Sequence, residues 1–218
     1  MKLEEFLSRE RDRGNSYRLL SQCYYLPADN IAGIVSEMAE STSGICPEAT
    51  KYFPKMEEEI ENLESLRVDY SKLFLGPFAL LAPPYGSVYL EGERKVMGDS
   101  TIDARNRYRE VGLDIAGDFK EVPDHILVEL EYMYYLILKE IESIENSDLH
   151  RATDYLKKQK GFLEDHLVVW VPEFADKIEE NAETEFYKNL AKATKAFVKI
   201  ENRNILENLA SLSQIHAG

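Results

Sequence analysis

The sequence predicts an all-α fold, a single compact multi-helix bundle spanning residues 1–218, and three observations carry that prediction. Apolar residues recur at three- and four-residue steps along most of the chain, and no segment sustains the two-residue alternation of a half-buried strand. Proline and glycine cluster in one window, 75–100, and are sparse elsewhere. With 44% hydrophobic and 11% aromatic residues in 218, the chain can bury a substantial core, which excludes wholesale disorder.

The elements follow in order. Residues 3–25 carry Leu3, Phe6, Leu7, Tyr17, Leu20 and Tyr24 at helical spacing around a polar middle, Arg9 to Gly14. Pro27, Asp29 and Asn30 punctuate before a second series at Ile31, Ile34, Val35 and Met38, and Ser41–Gly44 reads as a loop. One helix is predicted over 54–74, with five glutamates from Glu57 to Glu64 on a solvated face. Residues 75–100 must be largely irregular, because proline restricts both itself and its predecessor. Yet they are apolar: Leu75, Phe78, Leu80, Leu81, Tyr85, Val88 and Tyr89. Such residues pack onto a neighbouring surface or line a groove. A short helix over 100–111 follows.

The next helix is predicted from Pro123, whose missing N–H suits a first turn, to Glu145. Ile126, Leu130, Met133, Ile137, Ile141 and Ile144 make one stripe, and Val128, Tyr132, Tyr135 and Leu136 add apolar surface elsewhere. A helix apolar nearly all round is central to its bundle. Four more are predicted at 149–164, 166–181, 183–199 and 201–214, with stripes such as Phe186, Leu190, Phe197 and Ile205, Leu209, Leu212.

Charge narrows the partners. The formal net charge is −14, which disfavours binding to nucleic acid or anionic lipid and favours cationic partners. Residues 1–109 carry net −4 and residues 110–218 net −10; from Glu121 to Glu145 there are seven acids and one base, Lys139. Cys23 and Cys46 cannot build a disulfide scaffold or a four-cysteine metal site and read as reduced thiols. The first residues hold no apolar run long enough for a signal peptide, and no stretch of 18 apolar residues occurs. A soluble, cytoplasmic protein with no stable membrane insertion is expected.

The candidate chemistry centres on Pro123-Asp124-His125 and Glu129-Leu130-Glu131-Tyr132-Met133. Asp124 is placed in the first helical turn, where the dipole favours its charge. His125 and Glu129 are four apart and share a face. Three readings stand: capping with a His125–Glu129 hydrogen bond, a metal site using Asp124, His125 and Glu129, or a polar hot spot for a ligand. The metal reading lacks a second paired histidine. The ligand reading gains from the local acidity, because carboxylates give arginine bidentate, charge-assisted bonds.

Two further motifs join it. Asp69-Tyr70-Ser71-Lys72-Leu73-Phe74-Leu75-Gly76-Pro77 leads into Ala82-Pro83-Pro84-Tyr85-Gly86-Ser87-Val88-Tyr89, and Phe162-Leu163-Glu164-Asp165-His166-Leu167 is followed by Trp170, Pro172 and Phe174. Together, in this order over residues 65–175, they resemble the TorD/DmsD-like, NarJ-related maturation chaperones of molybdenum-containing redox enzymes. The resemblance implies an all-helical cytoplasmic chaperone. It would bind the twin-arginine signal peptide of the apo catalytic subunit of a molybdopterin oxidoreductase and hold it back from export until cofactor insertion. By the same resemblance, Tyr70, Leu73, Phe74, the loop Pro83, Pro84, Tyr85, Gly86 and Ser87, and Asp124 and His125 match positions associated with peptide binding. Family relatives often carry tryptophan where Tyr70 and Tyr85 stand, so peptide preference differs.

Such a peptide needs carboxylates beside an apolar groove and no nucleophile. Tyr70, Leu73, Phe74 and the 83–89 loop are expected to form the apolar part, and Asp124, Glu129 and Glu131 to meet the arginines, with His125 orienting Asp124 or the peptide backbone. No cofactor, metal or tightly bound nucleotide is expected, since no phosphate-cradling glycine motif occurs. A monomer is expected, or a dimer that exchanges helices through hinges at 75–100 and 120–123. A metal-dependent hydrolase and a permanent assembly subunit of a reductase complex are the competing functions.

Overall fold

The computed structural model describes residues 2–76, 80–91, 97–114 and 121–217, with side chains through residue 214. They form a compact all-helical bundle: α1 (Leu3–Gln22), α2 (Ile31–Thr42), α3 (Pro47–Thr50), α4 (Phe53–Glu59), α5 (Leu63–Tyr70), α6 (Gly86–Leu90), α7 (Asp99–Glu110), α8 (Ile126–Glu145), α9 (Leu149–Phe162), α10 (Val168–Asn181) and α11 (Glu185–Ala217). Wider π turns occupy Ser71–Leu75 and Leu163–Leu167. No strand occurs among the described residues, and none of their helices is long and apolar enough to cross a membrane.

The predicted stripe of α8 is buried throughout, and α8 packs between α1 and α9 while α11 lies along α10, α4 and α9. Phe186, Leu190, Phe197, Ile205 and Leu212 of α11 are likewise buried.

Four boundaries differ from expectation, each for a local reason. The 54–74 helix is broken at Ile60–Asn62, where the Asn62 side chain accepts the Ser65 N–H at 3.1 Å and starts α5 afresh. The first π turn then closes on Gly76, whose φ of +41° suits glycine. The helices predicted at 149–164 and 166–181 run on through the second π turn; Pro172 cannot donate to a carbonyl one turn back, and the widened turn lies just upstream. The helices predicted at 183–199 and 201–214 are one, because no proline or glycine lies between Glu185 and Ala217. Within the irregular window, residues 77–79 and 92–96 lie outside the described residues, and Gly86–Leu90 is helical.

The polar middle of α1 is a second surprise. Glu10 and Arg13 are buried with Glu140 of α8, Gln159 of α9 and Glu201 of α11. Arg13 donates to Glu10 at 2.5 Å, lies 3.1 Å from Glu201, and bonds the Gln159 carbonyl; Gln159 donates to Glu140 at 2.7 Å. Cys23 and Cys46 are buried free thiols, and burial pushes Cys23 up to about 12.

Candidate functional site: the loop–helix junction

Pro83 and Pro84 exclude helix just before them, so the chain stays extended and runs against the residues ahead of α8. The Gly86 N–H donates to the Asp124 carbonyl at 2.8 Å and the Ile126 N–H to the Pro84 carbonyl at 2.9 Å, pairing Tyr85 with His125 in a single antiparallel bridge. The Ser87 N–H donates to Asp124 Oδ2 at 2.8 Å, and the Tyr89 hydroxyl closes the turn on the Pro83 carbonyl at 2.9 Å. Two motifs far apart in sequence are thereby one clasp.

The start of α8 corrects the reading of Asp124. The helix begins at Ile126 with His125 as its N-cap, Nδ1 accepting the Leu127 N–H at 3.2 Å. Asp124 lies outside the helix, and its buried carboxylate serves the loop instead of the dipole. The His125 ring therefore caps its own helix, and among the described hydrogen bonds it reaches neither the Asp124 nor the Glu129 carboxylate. Burial drives its pKa down to about 3, so the ring is neutral near pH 7 and its 3.7 Å approach to Glu121 is no ion pair at that pH.

Beneath the clasp lies a buried polar floor. Glu129 accepts the Trp170 Nε1–H at 2.9 Å and sits 3.3 Å from His166 Nδ1, while His166 Nε2 is 2.8 Å from Asp103. A Cβ on Gly86 would stand 3.1 Å from Trp170 Nε1 and 3.4 Å from a Glu129 oxygen, so any larger residue would have to push the floor or the loop aside by a few tenths of an ångström. Trp170 stacks on Tyr89 at 5.6 Å.

Above the floor is a surface layer. The Tyr25 hydroxyl donates to Glu131 at 3.0 Å, and the Ser21 hydroxyl reaches the same oxygen at 3.4 Å. The Tyr85 ring meets His125 edge-on at 5.3 Å, and burial, assisted by the nearby Glu121 charge, raises its hydroxyl's pKa. Burial pushes both Tyr25 and Tyr70 up to about 12, assisted at Tyr25 by Glu131 and Glu121 and at Tyr70 by Glu121 and Tyr85. These couplings place three tyrosines and two glutamates in one patch. Tyr25 is 39% exposed and Glu131 is exposed.

The expected site residues divide between these layers. Tyr85, Pro83 and Glu131 reach the surface, and Tyr70 borders it. Pro84, Gly86, Ser87, Asp124, His125 and Glu129 are brought together but covered. Leu73 and Phe74 lie in the core, with Phe74 wedged among Tyr24, Tyr70, Phe174 and Tyr187. Nor do Asp124, His125 and Glu129 converge on a point, and among the described residues no group of three His, Cys, Asp or Glu side chains is arranged to hold a metal ion. Sequence reasoning missed Tyr25, Ser21 and Glu121. Tyr25 carried a faint signal, an aromatic at a helix end before Leu26-Pro27.

Residues 36–176, from α2 into α10, match the family model described as the nitrate reductase delta subunit. The chain belongs to that family. All of the clasp and its floor lie within the matched segment, whereas Ser21 and Tyr25 precede it. Among delta-subunit relatives, the chain is 29% identical over 142 residues to the chaperone protein TorD of Vibrio parahaemolyticus, covering 65% of this chain and 64% of that one. It is 34% identical over 127 residues to the Tat proofreading chaperone DmsD of Salmonella typhi, covering 58% and 55%. It is 26% identical over 181 residues to a perchlorate reductase assembly chaperone of Dechloromonas aromatica, covering 82% and 80%. The chain thus spans less than two thirds of the first two relatives. A candidate redox enzyme maturation protein from Archaeoglobus fulgidus shares the fold, with a TM-score of 0.53 and 24% identity over 88% of this chain and 93% of that one.

Proposed function

We propose that the chain is a cytoplasmic maturation chaperone for a molybdopterin-containing oxidoreductase, that it catalyses no reaction, and that it binds the twin-arginine leader of the apo catalytic subunit. Family membership and the chaperone names of the relatives support the class of function. The observation that carries the reading is the tyrosine–glutamate patch on the loop–helix junction.

Arginine is recognised by carboxylates in a fork geometry and by aromatic faces on which its guanidinium stacks. Glu121 and Glu131, beside Tyr25 and Tyr85, offer both at a surface. The two buried acids act on the loop instead, Asp124 fixing its Ser87 end and Glu129 supporting its underside. Leu26 and Leu81, 53% and 42% exposed, adjoin Tyr25 and the loop in the chain and supply apolar contact for the leader's uncharged stretch.

The test is isolation of the tagged chain from its native host, with mass spectrometry of what accompanies it. The expected companion is a catalytic subunit that retains its leader and lacks its cofactor. A stoichiometric complex with the mature, cofactor-loaded enzyme would mark a permanent subunit, and recovery of no oxidoreductase would overturn the proposal.

A further inference from the structure

One buried group at the junction is left over by the clasp: His166, on the second π turn, 2% exposed and stacked on Phe162 at 4.4 Å. Both of its ring nitrogens face carboxylates, Nε2 towards Asp103 of α7 at 2.8 Å and Nδ1 towards Glu129 of α8 at 3.3 Å. A neutral imidazole has one N–H and one lone pair, so it can satisfy only one of them. The other titratable groups facing this cluster are Arg107, which bonds Asp103 and Asp165 at 2.7 Å each, the buried Asp124 carboxylate, whose charge acts on Glu129, and Tyr108, which feels both acids. Glu129 is fully buried, and among the described residues no cation lies near it except this ring.

We propose that His166 is a positioning residue for the peptide loop: as a doubly donating imidazolium it holds the Glu129 carboxylate against Trp170 as the floor on which Gly86 closes, so that loop seating and leader affinity follow its protonation. The proposal rests on the reading of this junction as the leader's site. Burial alone would lower the ring's pKa, but the pull of the Glu129 carboxylate 3.3 Å from Nδ1 and the hydrogen bond to Asp103 outweigh it and raise the pKa above its ordinary value. Below that raised value the floor is charge-matched. Above it, Glu129 is left as a buried unpaired carboxylate, a costly state that is relieved by lifting the loop and admitting water. Ser87 Oγ and Asp124 Oδ1 in the clasp, and Glu129 Oε1 and His166 Nδ1 in the floor, are buried without hydrogen-bond partners among the described residues, so neither layer is saturated.

Trp170 is the single tryptophan of the chain, so its emission reports the floor directly in the full-length protein. Emission should change once as pH rises, at a midpoint above 6.5 that coincides with the His166 ring titration followed by NMR. Asp103→Asn, at a half-exposed position, should move both midpoints down together by about half a unit. His166→Gln should leave emission flat between about pH 6 and 9. Affinity for a twin-arginine peptide, measured by calorimetry, should fall about fivefold from pH 6.5 to 8.5 in the wild type and less than about twofold in His166→Gln.

An emission transition that persists in His166→Gln, or a midpoint indifferent to Asp103→Asn, overturns the proposal. Should His166→Gln fail to fold, Asp103→Asn decides alone. Wild-type protein that binds the peptide at neither pH sinks the functional reading, and the emission data still decide whether His166 seats the loop. Peptide affinity independent of pH, with Trp170 tracking His166, overturns the coupling to binding while the function stands.

Discussion

Among the described residues, two clusters of buried carboxylates, one under the loop and one at the crossing of α1 with α8, α9 and α11, are balanced differently, apart from the lone Asp69 that caps the start of α11. Under the loop, Glu129 accepts from Trp170 and lies 3.3 Å from the His166 ring, and a second acid, Asp103, meets the histidine from the outside. At the crossing, Glu10, Glu140 and Glu201 share one guanidinium, Arg13, and one amide, Gln159. Ionised throughout, that cluster would carry net −2 away from water, which is prohibitive. Burial accordingly raises all three acids, Glu201 to about 7. The lesson is that burial of an acid does not mark a functional site. A matched cluster beside a surface opening can hold a loop and respond to a ligand; an under-matched one inside the core must hold protons and chiefly makes stability depend on pH.

The sharpest way to break this comparison is Arg13→Met. It removes the one buried cation described among three buried acids, leaving only the more exposed Arg9 nearby, and should cost about 4 kcal/mol of stability near pH 7, read by urea unfolding; a loss under about 1 kcal/mol would show that the acids are already neutral and indifferent to it.

Glu201→Gln gives the next largest effect. The unfolded chain releases this proton near 4.5 and the folded chain near 7, so the Glu201 contribution to stability is lost as pH climbs between those values and is constant above. The slope amounts to roughly 3 kcal/mol at most and should be missing from the variant's unfolding profile. An unchanged slope would assign the titration elsewhere. Gly86→Ala is smaller and falls on the other cluster: a methyl 3.1 Å from Trp170 Nε1 should lift the loop, costing about 1–2 kcal/mol and shifting Trp170 emission.

Much of the bundle was legible in the sequence. The Ile126–Ile144 stripe is buried as its spacing requires, and the motifs at 83–87 and 123–125 meet as their joint presence suggested. What escaped has a common cause. Asp124 and Glu129 are expected to meet a peptide, and nothing marks Glu10, Glu140 or Glu201 as buried, because the partners are remote: Gln159 stands 146 residues from Arg13, and Trp170 stands 41 from Glu129. Local spacing carries no trace of such pairs. Leu73 and Phe74 lie in the core, which their spacing alone leaves open, since helical spacing beside a site cannot say which face of a helix the site occupies. Tyr25 joins the patch only because α1 returns it to α8, a tertiary fact.

The claim at the centre is that surface acids bind and buried acids hold. A double-mutant cycle by titration calorimetry, pairing Glu131→Gln with replacement of each leader arginine by glutamine, tests it most directly. A coupling of about 1 kcal/mol or more is expected for one arginine, with folding stability of Glu131→Gln within about 0.5 kcal/mol of wild type. Strictly additive losses for both arginines, repeated with Glu121→Gln, would contradict it.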